Sequence, residues 1–374
     1  MLSEMPSKSV TGADGPSSSP FIPQIDGLKG LAILMVMATH IADHGIEGPW
    51  RYSFLQAFFA AGERGVQLFF LISGFAIFVN SRERMGREKN PWACFYVRRW
   101  FRILPLWWFV VFLFSLVFAL RSNVTLAWMS FYFGFVSFDM DWVIPVLPGW
   151  SLFVEESFYL LFPLVFPWLL TARKTLGLFI FSLLVSWSWQ LLAPRYGVSE
   201  INNFVFWFPL TQWFCFPLGV LLYHWNRPQE PANSAFLNGI ILTLLPLSQF
   251  LGFVPATFGQ AGLIYLALQP ATWLHQITKA SPLRFFGRRC YSLYLTHLFL
   301  ICFFRSYFRA LFARLGISLP FAEVEIVLKF GVYALICVAV ATLLYILVEK
   351  PTQILGRIFV ERWQNQLHPV RINT

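Results

Sequence analysis

The chain has 374 residues, of which 57% are hydrophobic and only 12% carry a charge. Soluble globular chains carry about 25% charged residues, so this composition excludes an ordinary soluble protein. Apolar runs recur from Leu28 to Val348, which is typical of a polytopic membrane protein. The formal net charge of +10 raises nucleic-acid binding as an alternative, but the cations follow the predicted loops, so we expect no nucleic-acid partner.

One transmembrane domain, 25–352, is expected between a disordered cytoplasmic tail, 1–24, and a short cytoplasmic tail, 353–374. The first 24 residues are rich in Ser, Pro and Gly and lack an apolar core with a small-residue cleavage site, so they do not resemble a secretory signal. No soluble domain is expected after the last helix. The chain has five cysteines, an odd number, and no CxxC spacing: Cys94, Cys215, Cys290, Cys302 and Cys337. This pattern predicts that they pack as small hydrophobic residues, with no disulfide framework and no metal site.

Hydropathy predicts an all-α bundle of about ten transmembrane helices, with both termini in the cytoplasm. The predicted spans are 27–42, 62–80, 100–120, 150–170, 175–192, 204–224, 237–252, 257–276, 290–308 and 326–348. Most Lys and Arg residues then fall in cytoplasmic segments, as the positive-inside rule expects. The apolar piece at 126–138 is too short to span and is expected to be re-entrant or interfacial. If it did span, every later helix would invert against the charge rule.

The first apolar segment, IDGLKGLAILMVMATH, carries a lysine and a histidine on one helix face. Lys29 and His40 are eleven positions apart, which at about 100° per residue is close to three full turns. The rise between them is about 16 Å, half of a typical hydrocarbon core. Ionisable groups at such depth indicate function. Asp26 stands before Gly27 at the predicted helix start, where an N-cap role is favoured.

The next two spans carry one motif each. In RGVQLFFLISGFAIF, Ser73 and Gly74 favour close helix packing, whereas a nucleophilic serine would need a general base beside it. In RRWFRILPLWW, Arg99 and Arg102 share one helix face. These two arginines can anchor the helix at the inner surface, as we expect of Arg98, or clamp a phosphate through bidentate hydrogen bonds. Both interpretations stay open.

The segment GWSLFVEESFYLLFPLVF places two adjacent carboxylates in an apolar span, where a charge costs about 3 kcal/mol at the bilayer centre. Glu155 and Glu156 point about 100° apart, so they cannot both face one partner. Glu155 lies about 9 Å from the outer start of its helix, near the expected depth of His40. It could orient that imidazole, as in triad-like bases. Helix–helix hydrogen bonding is the structural alternative.

The segment RRCYSLYLTHLFLICFF carries Tyr291, Tyr294 and His297 at i, i+3 spacing. The three side chains share one helix face with Arg288, near the inner side of the membrane. The sequence leaves two interpretations open, a ligand site and a packed polar cluster.

Together with VEKP at 348–351, these stretches resemble the acyltransferase 3 family of integral-membrane O-acyltransferases over about residues 24–352. Each motif is weak alone, and their common order makes the resemblance specific. The family's pattern of a cation, ten residues and a histidine falls on Lys29 and His40, and its Arg-x-x-Arg falls on Arg99 and Arg102. Its Trp-Ser-Leu…Glu and Tyr-Ser-x-Tyr-Leu-x-His patterns fall on Trp150, Ser151 and Glu155, and on Tyr291, Ser292, Tyr294, Leu295 and His297.

The resemblance implies transfer of an acyl group, most often acetyl, from cytoplasmic acyl-CoA to a hydroxyl of a carbohydrate or glycolipid. Acyl-CoA is then the donor substrate, and no bound cofactor is expected. His40 would act as general base, oriented by Glu155. Contacts to acyl-CoA are expected from Lys29, Arg99, Arg102, Tyr294 and His297, and supporting roles from Asp26, Ser73, Trp150 and Ser151.

Several alternatives stay open at this point. The acyl group could pass through an acyl-enzyme, carried by His40 or by a hydroxyl. A transporter or flippase for a lipid-linked sugar would also use ionisable residues at mid-depth, although the sequence shows no internal repeat. A purely structural membrane partner would leave the buried carboxylate and imidazole unexplained. The expected location is the bacterial plasma membrane, in contact with membrane lipid, and the sequence indicates no oligomeric state.

Overall fold

The computed structural model describes residues 22–46, 49–119, 149–197, 204–226, 236, 238–240, 243, 247–248, 251–316 and 321–367. Within these ranges all regular secondary structure is helical, which confirms the predicted all-α fold. The N-terminal tail up to residue 21, the apolar piece at 126–138 and half of the predicted span 237–252 lie outside the described residues.

Within the described ranges, most neighbouring helices are separated by only a few residues. In chain order they are α1 (Pro23–His40), α2 (Ser53–Ala60), α3 (Gly65–Met85), α4 (Pro91–Ala119), α5 (Gly149–Leu169), α6 (Ala172–Leu192), α7 (Phe204–Trp207), α8 (Pro209–Gln212), α9 (Cys215–Trp225), α10 (Phe253–Leu268), α11 (Trp273–Lys279), α12 (Ser281–Arg288), α13 (Cys290–Arg314), α14 (Ala322–Leu344) and α15 (Lys350–Leu367). A π-helical turn, Ile41–Gly45, extends α1, and a second, Tyr345–Glu349, joins α14 to α15.

Apolar helical segments long enough to cross a membrane make the chain an integral membrane protein. Within the described ranges there are six of them: Pro23–Gly45, Ser53–Met85, Gly149–Leu169, Ala172–Leu192, Cys290–Arg314 and Ala322–Gln366. Each overlaps one of the predicted spans. The helix α10 is apolar but shorter. The total of ten spans and the cytoplasmic position of both termini stay predictions.

The predicted continuous span 204–224 is broken in the structure. It is divided into α7, α8 and α9, and the first break lies at Phe208, which has an extended conformation (φ −66°, ψ 142°). Proline disfavours the helical conformation of the residue before it and has no N–H to donate. Pro209 therefore ends α7 and starts α8, and the following helix α9 is only 11 residues long.

Glycine sets the closest crossing in the aromatic core, where α3 meets α9. A Cβ atom on Gly74 would lie 2.3 Å from the carbonyl oxygen of Phe216, and one on Gly219 would lie 2.1 Å from that of Leu71. The two backbones therefore touch, and the packing role predicted for Gly74 is confirmed. Phe158 of α5 covers this crossing, with its ring stacked 4.0 Å from that of Phe216.

A second close crossing places the start of α1 beside the start of α13. A Cβ atom on Gly30 would lie 2.0 Å from the carbonyl oxygen of Leu283 in α12, and one on Gly287 would lie 1.7 Å from that of Asp26. Because α12 leads directly into α13, this crossing fixes Lys29 next to the tyrosines of α13.

The opposite end of α1 is held by a buried ion pair in α14. Lys329 and Glu325 are hydrogen-bonded to each other, and each is 4% exposed. The ammonium group of Lys329 also donates to the carbonyl oxygen of Gly45 (3.4 Å), which accepts from the hydroxyl of Tyr333 as well (3.2 Å). These contacts fix the π-helical turn that follows His40.

The residues expected to form a short C-terminal tail are helical up to Leu367. Helix α15 packs along α4, where a Cβ atom on Gly356 would lie 2.6 Å from that of Phe101. Near its end, the side chain of Gln364 accepts from the backbone N–H of Lys89 (3.0 Å) and donates to its carbonyl oxygen (2.7 Å). Helix α15 is therefore held against the rest of the bundle at Gly356 and again at Gln364.

Candidate functional site

The motif residues of five helices converge on one cavity, which we call the central cavity. It encloses about 950 Å³ of empty space, its open mouth included. Eight residues singled out from the sequence line it: Lys29, Ser73, Arg99, Arg102, Ser151, Glu155, Tyr291 and Tyr294. They come from α1, α3, α4, α5 and α13, so residues spread over most of the sequence meet in one place.

Lys29 enters the central cavity from α1 and is paired within its own helix. Its ammonium nitrogen lies 3.4 Å from a carboxylate oxygen of Asp26, one turn earlier, and both side chains are 20% exposed. The N-cap role predicted for Asp26 is wrong, because α1 begins at Pro23 with Ile22 in the cap position. Asp26 supports Lys29 instead.

Arg99 and Arg102 both line the central cavity, which anchoring at a membrane surface would not require. The guanidinium carbon of Arg99 lies 5.0 Å from the ring centre of Tyr159 and 5.5 Å from that of Phe95. These cation–π contacts orient Arg99 without using its N–H groups. The arrangement therefore favours the phosphate-clamp interpretation of the two arginines.

Glu155 forms a compact hydrogen-bonded group in the wall of the cavity. Its carboxylate accepts from the hydroxyls of Ser73 and Tyr159, and those two hydroxyl oxygens are 2.9 Å apart. The expected contact of Glu155 with His40 is not found among the described residues. The physical reason is that Glu155 turns its Oε1 towards Ser73 of α3 and towards Tyr159 of its own helix, whereas His40 meets α13.

The partner of His40 is a second histidine. Nδ1 of His40 lies 3.1 Å from Nε2 of His297 and 2.9 Å from the carbonyl oxygen of Val36. Nδ1 of His297 lies 3.0 Å from the carbonyl oxygen of Leu293 and 2.9 Å from that of Tyr294. His297 has no exposed surface. It therefore takes the position beside His40 that the sequence analysis gave to Glu155.

These contacts determine the tautomers of both rings. A carbonyl oxygen can only accept, so Nδ1 of His297 must carry a proton and its Nε2 must offer a lone pair in the neutral ring. Nδ1 of His40 then carries the proton that Val36 and His297 share. The unprotonated nitrogen of His40 is therefore Nε2, which is the atom that a general base needs.

Tyr294 lies between the central cavity and the histidine pair. Its hydroxyl is 2.6 Å from that of Ser151, and its ring centre is 5.8 Å from that of His297. Neither His40 nor His297 is among the described residues that line the cavity. Trp150 also lies behind the lining, with its ring stacked 5.6 Å from that of Trp207.

Two polar residues that build this region were not predicted from the sequence. Tyr159 lines the cavity, and its position one helical turn after Glu155 could have indicated it. Glu349 of the VEKP stretch accepts from Ser292 (2.5 Å) and from Gln353 (3.1 Å), so it ties α13 to the start of α15. Such long-range pairs have no local sequence signal.

Comparison with known proteins finds one matching family and several relatives. A family model described as an acyltransferase domain matches residues 22–347. O-acetyltransferase OatA of Staphylococcus aureus strain NCTC 8325 / PS 47 is 26% identical over 328 residues, which cover 77% of this chain and 52% of that relative. OatA of strains COL and MRSA252 matches with the same identity and coverage. The chain thus spans about half the length of these relatives. No solved structure matches it significantly.

Proposed function

Because the chain belongs to the acyltransferase 3 family, we propose that it is an O-acyltransferase of a bacterial plasma membrane. It moves an acyl group, acetyl in the simplest case, from acyl-CoA to a hydroxyl of a carbohydrate or glycolipid. The observation that carries this proposal is the convergence of the separate motifs on the central cavity. Cations line that cavity, and a base with a defined tautomer lies behind it.

The donor enters from the end of the bundle where Lys29, Arg99 and Arg102 lie. Acyl-CoA has an anionic nucleotide end and a long, thin arm that ends in the thioester. Two co-facial arginines suit the diphosphate of that molecule, because guanidinium groups bind phosphate oxygens in pairs. The arm then extends through the central cavity towards Tyr294. This direction requires the cationic end to face the cytoplasm, where acyl-CoA is made.

His40 acts as the general base. Its Nε2 takes the proton of the acceptor hydroxyl while the hydroxyl oxygen attacks the thioester carbonyl. The new C–O bond forms, the C–S bond breaks, and the proton on Nε2 passes to the departing thiolate. After the first proton transfer the ring is a cation, and its Nδ1–H still donates to Val36 and to His297. Both contacts therefore stabilise the charge that develops during the reaction.

His297 and Glu155 have different roles in this scheme. His297 is a positioning residue, because it fixes the ring and tautomer of His40. Glu155 holds the hydroxyls of Ser73 and Tyr159 in the cavity wall beside the cationic arginines, and it sets the shape and charge of the path for the thioester arm. Tyr294, held by its contact with Ser151, lies between the arm and the histidine pair.

Replacement of His40 tests the proposal directly. Inside-out membrane vesicles would receive labelled acetyl-CoA, and label in the carbohydrate and lipid fractions would be measured. His40→Ala should reduce transfer by about 10²- to 10⁴-fold, the usual contribution of a general base. His224→Ala is the matched control, since His224 bonds to the carbonyl oxygen of Leu169, outside the cavity. Full transfer by His40→Ala at normal protein levels would exclude His40 as the base.

A second experiment with labelled acetyl-CoA separates direct transfer from an acyl-enzyme route. In purified protein without an acceptor, direct transfer leaves no label on the chain. An acyl-enzyme would leave a labelled residue that can be mapped by mass spectrometry, with Ser73 and His40 as the first positions to inspect. We expect no stable label, because Ser73 hydrogen-bonds to Glu155 and Tyr159 rather than to an imidazole.

A further inference from the structure

A second cavity adjoins the central cavity at its cationic end. We call it the arginine cavity. It holds about 890 Å³ of empty space, its open mouth included, and is lined by Asn80, Ser81, Arg84, Phe95, Arg98, Arg99, Arg102, Gln353 and Arg357. Asn80, Arg99 and Arg102 line both cavities, so the two are neighbouring parts of one site. None of the described residues that line the arginine cavity is acidic.

The balance of charge in this cavity favours an anionic ligand. Glu88, just outside the lining, forms a bidentate pair with Arg98 (2.8 and 2.9 Å) and lies 3.9 Å from Arg84. One carboxylate thus serves two arginines. Arg99 and Arg102 add their charges from the shared wall. A concave surface with such an excess of one sign concentrates counter-ions, and Arg98, expected only to anchor α4, is part of it.

Arg357 is supplied by α15, which lies beyond the matched residues 22–347. Its neighbour Gly356 is pressed against Phe101 of α4, and the rings of Phe101 and Phe359 are 6.2 Å apart. Because Gly356 has no side chain, α15 lies flat on α4, and Arg357 is held at the edge of the arginine cavity. The last helix therefore completes this part of the site.

We propose that the arginine cavity binds the 3′-phosphorylated nucleotide end of the donor, and that Arg357 recognises its 3′-phosphate. This inference rests on the proposed function, since it assigns the anionic end of the same acyl-CoA. Arg99 and Arg102, on the shared wall, hold the diphosphate between the two cavities. Arg357 lines the arginine cavity but not the central cavity, so a further phosphate group would find a separate cation there. Helix α15 thereby selects CoA thioesters over donors that lack this phosphate.

A binding experiment tests the site without acyl transfer. The purified chain in phosphatidylcholine nanodiscs would be titrated with adenosine 3′,5′-bisphosphate and with AMP. The bisphosphate should bind about tenfold more tightly, as one charge-assisted contact of about 1.4 kcal/mol provides. Arg357→Gln should remove this preference. Arg362→Gln, the same change on the same helix at an exposed position outside the cavity, should keep it. Equal binding of both nucleotides by the unaltered chain would overturn the proposal.

An activity experiment distinguishes this inference from the proposed function. In the vesicle assay, the KM for acetyl-dephospho-CoA should exceed that for acetyl-CoA by about tenfold, and Arg357→Gln should bring the ratio close to one. Transfer with equal KM values for both donors would overturn the 3′-phosphate site and leave the acyltransferase intact. Absence of transfer from either donor, with the nucleotide preference retained, would overturn the proposed function alone.

Anionic lipid is the competing source of phosphate. If the arginine cavity held lipid headgroups, phosphatidylglycerol nanodiscs would abolish bisphosphate binding, and Arg357→Gln would restore it. That result would overturn the proposal. We expect phosphatidylglycerol to weaken binding equally in the unaltered chain and in Arg362→Gln, with the preference for the 3′-phosphate unchanged.

Discussion

The two histidines show how a residue's role depends on its neighbour in space. His40 could be recognised from its helix, because an imidazole beyond a lysine on one apolar face has few structural explanations. Its partner could not, since His297 is 257 positions away. The sequence suggested Glu155 as the partner of His40 only because the two have a similar estimated depth in the membrane. Depth along the membrane normal does not determine which side chains share a helix interface, and Glu155 faces Ser73 and Tyr159 instead.

Replacement of His297 should affect turnover rather than donor binding. His297→Leu removes one of the two acceptors for Nδ1–H of His40, so kcat should fall by about 10- to 100-fold, the effect of losing a hydrogen bond to a charged group. His297→Gln should recover part of the rate, because its amide oxygen can accept the same proton. Steady-state kinetics with acetyl-CoA would measure both. A raised KM with normal kcat would instead show that His297 binds acyl-CoA, as its family motif implied.

Apolar periodicity predicted the helices well, and it predicted their packing poorly. The six long apolar helices agree with predicted spans because a membrane demands about 20 apolar residues in a row. Pro209 can be seen in the sequence, but the apolar residues on both sides of it still predicted one continuous helix. Which glycine would meet which backbone could not be predicted, because Gly74 and Gly219 belong to helices far apart in the chain. Small residues indicate a close crossing and do not name its partner.

The crossing of α3 and α9 should tolerate no added methyl group. In Gly74→Ala the new Cβ would lie 2.3 Å from the carbonyl oxygen of Phe216, and backbone atoms cannot move aside cheaply. We expect a loss of about 1–3 kcal/mol of stability, typical of overpacking. Thermal unfolding in detergent would show a lower Tm.

The matched control is Gly177→Ala in the middle of α6. Apart from the backbone of its own helix, no atom lies within 4 Å of a Cβ atom there, and alanine is the better helix former by about 1 kcal/mol. This variant should unfold at the same or a higher temperature. If both variants unfolded alike, the close contact between α3 and α9 would be refuted.

At the scale of the whole molecule, charge and chemistry are separated along the bundle. Lys29 and the arginine cavity lie at one end, and the His40–His297 pair lies farther along α1 and α13. This order agrees with the distribution of cations in the sequence, which predicted the cationic end to be cytoplasmic. Sequence alone could not show that α15 returns to that end and adds Arg357, because an amphipathic C-terminal segment has no local signal for its docking site.

Cysteine labelling can measure which end of the helix bundle faces the cytoplasm. In a background without the five native cysteines, single cysteines would replace the exposed residues Ser53, at the start of α2, Arg87, before α4, and Asn365, near the end of α15. A membrane-impermeant maleimide should label Ser53→Cys in intact spheroplasts. It should label Arg87→Cys and Asn365→Cys only after permeabilisation, because both lie at the cationic end.

Labelling in detergent is the control for the reactivity of each cysteine, and acetyl transfer is the control for a native fold. The reverse pattern would place the arginine cavity outside the cytoplasm, where it could not meet acyl-CoA. In that case the proposed donor would be wrong even if the histidine pair remained essential. The predicted pattern requires that the thioester enter at the arginines and that the acceptor hydroxyl meet it near the far end of α1.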